Sequence, residues 1–407
     1  MVKLFPVPAI PKTMRAVVYR GVNDLRLETV PVPRIGAREL LVRVAVCGVC
    51  PTDIKKIQHG TVPPPRIFGH ETAGTIVKIG AGHPSLVTRH SSLKVGDRVA
   101  LHHHVPCLDC HFCRHRAFAQ CETYKRAGIT AGFEPAGGGY AEYVRVMPFV
   151  LPGVVKIPAK NSFAEGALLE PVNTVLKAVK RLNLLRGDTV LVAGQGPIGL
   201  MFTRLLQLRG VRVLATDLLA SRLRLARKFG AQWTRQIKNS KTKTRPVHSA
   251  FRIPHSAFPM DCAVIAVPSG AAVHQALQFV RGGGQVLLFA HTKRNSLAHP
   301  MGEGGPRKAE PGEGRSPTQK SSPFSLQPSA FSLDLASICL DEKDLIGSYS
   351  SDFTLQPEVA RLVFSRQLDV RPLITHYFPL AETAAAVALA ASPTPDSLKI
   401  LVRVNNP

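Results

Sequence analysis

At 407 residues and 44.0 kDa the chain is long enough for two or three domains. Its 45% hydrophobic and 19% charged residues, with a mean hydropathy of +0.06, supply a full core and exclude wholesale disorder. Lys and Arg total 52 against 27 Asp and Glu, and this formal charge of +25 suits a nucleic acid, a membrane surface or an anionic ligand without choosing among them.

Residues 1–13 carry three prolines and too short an apolar stretch for a signal peptide, so they are expected to be an extension. No apolar run of about 18 residues lacks a charge or a breaker, so no membrane span is expected. Strand patterns follow at residues 14–19, 40–46, 72–79 and 97–101, separated by turn residues, and predict a β-rich first domain. The pattern changes near Ala164. A single helix is expected over 162–182, then a buried strand over 189–193 and a glycine turn. A helix at 198–209, a strand at 211–216 and a helix at 220–229 follow. Further strands are expected at 262–267, 285–289 and 345–349. Strand–helix alternation of this kind predicts a parallel sheet covered on both faces. The tail beyond Asp352 reads as helix, strand (373–377), helix (381–391) and strand (398–404). Residues 235–256, 292–327 and a shorter piece, 83–92, read as inserted surface loops.

Half of the eight cysteines fall between Cys107 and Cys121, spaced Cys107-x2-Cys110-x2-Cys113-x7-Cys121. Four thiolates in one short lobe close a tetrahedral zinc shell with no open position, which is a structural site in a reducing, cytoplasmic setting. An iron–sulfur motif would continue with x3-Cys-Pro; here the gap is seven residues and Glu122 follows. A second set is scattered: Cys50-Pro51-Thr52-Asp53, Gly69-His70-Glu71 and Glu170-Pro171. Singly these are weak. Together they offer a thiolate, an imidazole and carboxylates, the donor set of a catalytic zinc with an exchangeable position. Asp53 is placed to hold the His70 ring. The third signal is Gly194-Gln-Gly196-Pro197-Ile198-Gly199, which follows a strand, opens a helix and precedes Asp217 at the end of the next strand. That is the context of a dinucleotide site, with the pyrophosphate at the helix N-terminus. Asp217 favours NAD over NADP because its carboxylate accepts from a ribose and repels a 2′-phosphate. Arg222 is a nearby cation.

In these stretches, with Val-Gly-Asp-Arg-Val at 95–99 and Glu-Pro-Val-Asn-Thr at 170–174, the chain resembles the zinc-dependent medium-chain dehydrogenase/reductase superfamily. A glutamate at 170 is similar to its sorbitol and threonine dehydrogenase branch. The resemblance implies an α/β fold: a GroES-like β-rich catalytic domain over 14–171 and 351–407, and a doubly wound Rossmann domain over 172–350. It implies two zinc ions per subunit. Cys50, not Cys47, His70, Glu71 and Glu170 match the catalytic metal site, and Thr52 matches the hydroxyl that relays the substrate proton. Thr174, Asp217, Arg222 and, as a basic pyrophosphate contact, Lys399 match cofactor residues. It implies a homo-dimer or homo-tetramer. Three departures stand out. Lys55 stands where many relatives carry the histidine that ends the relay. Pro51 replaces a glycine, and the Cys50–His70 spacing is shorter than in many polyol dehydrogenases. Lys55 and Lys56 read as a solvated pair, and His102-His103-His104 as solvated or packed rather than as a third metal site.

The expected function is NAD-dependent oxidation of a secondary alcohol, polyol or sugar-like, to a ketone. Threonine or a sugar phosphate are alternative substrates. A zinc-independent enone or quinone reductase is disfavoured by the Cys50, His70 and Glu170 set. A basic nucleic-acid-binding zinc protein is disfavoured because residues 235–256 carry charge without stacking aromatics or a recognisable module. Residues 201–230 contribute +6, 235–256 another +6 and 291–327 a further +3, so most of the excess lies beside the chemistry, where it attracts an anionic dinucleotide.

Overall fold

The computed structural model describes residues 9–81, 86–88, 91–126, 128–134, 137–237, 260–290 and 335–405. Most of the expected N-terminal extension and of the two long inserted stretches lies outside these residues.

The first half is antiparallel. β1 (Thr13–Gly21) and β2 (Asp24–Pro31) form a hairpin, and β3 (Leu40–Gly48) leads into α1 (Pro51–His59). β4 (Arg66–Ile67) pairs with β1, and β5 (Glu71–Ile79) with β3. β6 (Leu86–Thr88) pairs with β7 (Ser91–Leu93), so the expected loop at 83–92 contains a short hairpin. β8 (Arg98–Leu101) precedes the cysteine lobe, which holds α2 (His111–Arg114) and α3 (Glu122–Arg126). β9 (Ile129–Thr130), β10 (Tyr143–Val146) and β11 (Val155–Lys156) complete a curled sheet in the order β11-β8-β5-β3-β10-β9. β3 is apolar along nearly its whole length because both of its faces are covered; only Arg43 is partly exposed.

Then come α4 (Phe163–Ala167) and α5 (Leu169–Val179). The single helix expected over 162–182 is thus two, meeting at Leu168. Pro171 supplies the reason: it has no N–H for the carbonyl of Ala167, and its ring crowds that carbonyl. Ser162 and Glu165 form a reciprocal capping box that starts α4.

The second half is a six-stranded parallel sheet. It contains β12 (Thr189–Ala193), α6 (Pro197–Leu208), β13 (Arg212–Asp217), α7 (Ala220–Lys228) and β14 (Trp233–Gln236). β15 (Met260–Ile265), α8 (Gly270–Phe279), β16 (Val280–Leu288), α9 (Leu335–Cys339) and β17 (Asp344–Gly347) follow, in the strand order β14-β13-β12-β15-β16-β17. Every pair in it is parallel, and β12 is buried at all five positions, which explains its unbroken apolar run. After α10 (Gln356–Phe364) the chain returns to the first sheet through β18 (Ile374–Pro379), α11 (Thr383–Ala391) and β19 (Lys399–Arg403), which pairs antiparallel with β3. One buried cluster joins the halves: Val46, Ala73 and Ala100 of the curled sheet meet Leu168, Leu169 and Val172, which also pack towards Val190 and Val192 of β12. Each of the valine and leucine side chains among them contributes about 1.5–3 kcal/mol by its burial. Among the described residues no helix is long and apolar enough to cross a membrane.

Candidate active site

The four lobe cysteines lie with their sulfurs within 4.8 Å of one another. Cys107 and Cys113 are 3.9 Å apart and Cys110 and Cys113 3.5 Å, while all four are free thiols. A disulfide would need about 2.05 Å. Four sulfurs each about 2.3 Å from one zinc would stand roughly 3.8 Å apart, so the donor set fits that ion. Backbone groups prepare the thiolates. The N–H groups of Asp109 and Cys110 bring the Cys107 thiol down to about 6, and Cys110 N lies 3.4 Å from its sulfur. Burial pushes Cys113 up to about 12.

The second centre is assembled from separate elements. β3 ends at Gly48, and Cys50 is the N-cap residue of α1, whose Pro51 suits the first helical position. His70 immediately precedes β5, and Glu71 opens it. The donor atoms of Cys50, His70 and Glu71 lie within 4.8 Å of one another. Asp53, also on α1, sits with Oδ1 3.1 Å from His70 Nδ1 and accepts from Gly69 N at 3.2 Å. A carboxylate only accepts, so Nδ1 carries the proton and Nε2 keeps its lone pair for a metal. Burial alone would lower the His70 pKa. Asp53 and the Cys50 thiol outweigh it and hold the imidazole well above its ordinary value. Cys47 is different: it is fully buried, its sulfur packs 3.4 Å from Thr72 Oγ1, and it stands outside the group formed by Cys50, His70 and Glu71.

Lys399 does not reach toward the nucleotide fold as expected for a pyrophosphate contact. Its Nζ donates to Glu71 Oε1 at 2.6 Å and to the Val49 carbonyl at 3.0 Å, buried on β19. Burial opposes its charge, but Glu71 and Cys50 hold its pKa above the usual lysine value. Glu170, on α5, stands outside the group of three, yet its charge acts on Glu71. Its Oε1 lies 3.2 Å from His104 Nδ1. Lys55 and Lys56 are partly buried rather than freely solvated, and burial lowers the Lys55 pKa against the opposing charge of Cys50. Thr52 is partly buried two residues after Cys50.

The triple histidine is packed rather than solvated, and it lies beside His70. The His103 and His104 rings are 3.6 Å apart, and His103 is 5.0 Å from His70. Ser351, beyond β17, lies 3.2 Å from His102 Nε2 and 2.9 Å from His104 Nδ1. Burial brings the His102 pKa down to about 4 and those of His103 and His104 well below the ordinary value, so all three are neutral at pH 7. The run of histidines just before the lobe was the one signal available; nothing in the local pattern ties it to Ser351.

The glycine turn joins β12 to α6. Gly194 adopts φ +91°, and a Cβ on Gly199 would fall 1.8 Å from the Gly194 carbonyl oxygen, so both are required by the turn itself. A Cβ on Gly196 would meet nothing within 4 Å. The open space there fits a phosphate against the N-terminus of α6, which Pro197 and Ile198 begin. Asp217 ends β13 and accepts from Gln195 N at 2.7 Å and Leu219 N at 2.9 Å. Thr174 donates to the Pro171 carbonyl, and Arg222 reaches the Ser397 carbonyl at 3.4 Å.

The alcohol dehydrogenase GroES-like domain family matches residues 36–159, and the zinc-binding dehydrogenase family residues 197–301. A sorbitol dehydrogenase of Bombyx mori is 28% identical over 397 residues, covering 96% of this chain and 99% of the relative. A probable D-xylulose reductase A of Aspergillus fumigatus is 31% identical over 279 residues, covering 66% of this chain and 72% of its own length. Among solved structures, the acetophenone reductase of Geotrichum candidum in complex with NAD superposes with a TM-score of 0.71 at 22% identity, covering 97% of this chain and 98% of that one.

Proposed function

We propose for this chain, which belongs to the zinc-dependent alcohol dehydrogenase family and oxidises an alcohol to a ketone with a nicotinamide cofactor, that its substrate is a polyol or sugar-like secondary alcohol and its cofactor is NAD. The observation that carries the reading is the convergence of Cys50, His70 and Glu71 where α1 and β5 begin. The sorbitol and xylulose names of the relatives support the substrate class.

Two zinc ions fit the donor sets. Cys107, Cys110, Cys113 and Cys121 hold one that only ties the lobe together. Cys50, His70, Glu71 and Glu170 serve the other, which when bound supplies Lewis acidity that lowers the pKa of an alcohol. Thr52, placed by the first turn of α1, takes the proton from that alcohol and passes it outward. Asp53 holds the His70 ring in the tautomer a metal needs. Gly194, Gly196 and Gly199 let the backbone approach the pyrophosphate. Asp217 accepts from the adenosine ribose and repels a 2′-phosphate, with Thr174 and Arg222 as further cofactor contacts. A nicotinamide cofactor held there would supply the hydride acceptor.

A panel of polyols, secondary alcohols, threonine and sugar phosphates, run with NAD and with NADP, tests this. The reading expects a polyol with NAD to have the highest kcat/KM. A preference for threonine, for a sugar phosphate or for NADP overturns the corresponding part of it. Turnover that survives dialysis against a chelator overturns the metal assignment.

A further inference from the structure

His102, Ser351, His104 and Glu170 form one chain of close polar contacts: Ser351 Oγ hydrogen-bonds both histidines, and His104 Nδ1 also lies 3.2 Å from Glu170 Oε1. Glu170 is a carboxylate, so a proton on His104 Nδ1 is favoured at that distance. A bare Nδ1 would set its lone pair against the carboxylate. The same N–H then faces Ser351 Oγ at 2.9 Å, and the single Ser351 proton goes to His102 Nε2 at 3.2 Å. His102 is left protonated at Nδ1. His102, Ser351 and Glu170 are 0%, 2% and 4% exposed, and His104 is partly buried between them. Their origins differ. His102 and His104 follow β8 of the curled sheet, Glu170 lies on α5, and Ser351 follows β17 of the parallel sheet. The Ser351 segment is itself pinned to α5: Asp352 N donates to Asn173 Oδ1 at 2.8 Å, and Lys177 Nζ donates to the Tyr349 carbonyl at 2.9 Å.

We propose that His104 is a positioning residue for the Glu170 carboxylate, and that Ser351, on the segment that leaves β17 and returns to the catalytic half, fixes the His104 tautomer that does this. The proposal rests on the reading that Glu170 serves the catalytic metal. Partners of metal-facing carboxylates commonly change metal affinity by about 10–100-fold when lost.

The test uses the full-length protein substituted with cobalt. Its one-thiolate centre is followed by visible d–d bands distinct from the sulfur-rich bands of the lobe, and affinity is measured by chelator competition. Glu170→Ala comes first: unchanged affinity and bands would overturn the metal role of Glu170 itself. Given a loss there, His104→Gln and Ser351→Ala are expected to weaken cobalt binding at this centre about tenfold or more and to shift its bands. His104→Asn keeps a donor near the Nδ1 position and is expected to restore affinity to within about threefold. A merely space-filling role predicts the opposite order, with the larger Gln tolerated better than Asn. Equal behaviour of His104→Asn and His104→Gln, or wild-type affinity in both His104→Gln and Ser351→Ala, overturns the proposal. Thermal unfolding of each variant identifies any that fails to fold, and for such a variant Ser351→Thr, which retains the hydroxyl, takes its place with wild-type bands expected.

Discussion

The cysteine lobe and the cleft centre are both built to hold a metal, and they are built in opposite ways. The lobe takes all its donors from residues 107–121, so its own loop brings them together. The cleft takes Cys50 from the start of α1, His70 from immediately before β5, Glu71 from β5, Glu170 from α5 and the counterion Lys399 from β19. Its groups are nearly 350 residues apart at the extreme: Lys399 Nζ bonds the Val49 carbonyl. A local site can fold with its metal. A dispersed one is pre-arranged by two sheets and a shared core. The lobe should therefore matter to stability and the cleft to turnover.

The sharpest way to break this contrast is to remove one thiolate from each. Cys50→Ala should reduce kcat/KM about a thousandfold or more, because several kcal/mol of metal-derived stabilisation is lost. Its thermal unfolding should remain near that of the wild type. Cys110→Ala should cost about 4 kcal/mol or more of stability, the scale of losing a structural metal, and calorimetry reads it directly. If the two variants exchange these effects, the assignment of roles is wrong.

The contrast is sharpened next by Asp53→Asn, which removes the carboxylate that orients His70. Metal affinity in the cleft should fall about 10–100-fold while the lobe keeps its ion; metal analysis after graded dialysis separates the two. A comparable change should follow Asp217→Ala in the cofactor preference. Losing one charge-assisted contact, worth about 1–3 kcal/mol, should move the NAD to NADP ratio of kcat/KM by about 10–100-fold toward NADP.

The smallest expected effect is a pH dependence. The His70 pKa is raised, so its protonated form persists to higher pH than in a free imidazole. A metal needs the neutral ring. Metal binding in the cleft should therefore be complete above that raised pKa and weaken as pH falls through it. The lobe has no imidazole ligand, so its metal binding should not follow this titration. Metal content measured across a pH series checks this; simultaneous release from both sites would remove the distinction.

The same contrast decides what could be read in advance. The central strands of the parallel sheet were visible as apolar runs because burial on both faces leaves no polar alternation to confuse them, as β12 shows, whereas the edge strand β14, half-exposed and polar, was not expected and ends in the stretch read as an inserted loop. The boundaries drifted where the signal was local but ambiguous. The helix over 162–182 broke at Leu168 because Pro171 interrupts it, and the hairpin of β6 and β7 hid in a stretch that reads as a loop. Cys107, Cys110, Cys113 and Cys121 needed only their spacing. Gly194, Gly196, Gly199 and Asp217 needed only a strand before and a helix after, since a turn and a helix N-terminus are local objects.

What the amino-acid order determined by itself was thus everything whose parts lie within one turn or one strand–helix unit: the lobe, the glycine turn, the Asp53-to-Cys50 placement along α1. Only the tertiary structure decided that Lys399 neutralises Glu71, that His103 and the partly buried His104 pack beside His70, and that Ser351 closes onto His104 from beyond β17. Those contacts join residues separated by up to 328 positions, and at such separations a side chain's partner is set by how β19, β8 and β17 come together, not by its neighbours in the chain.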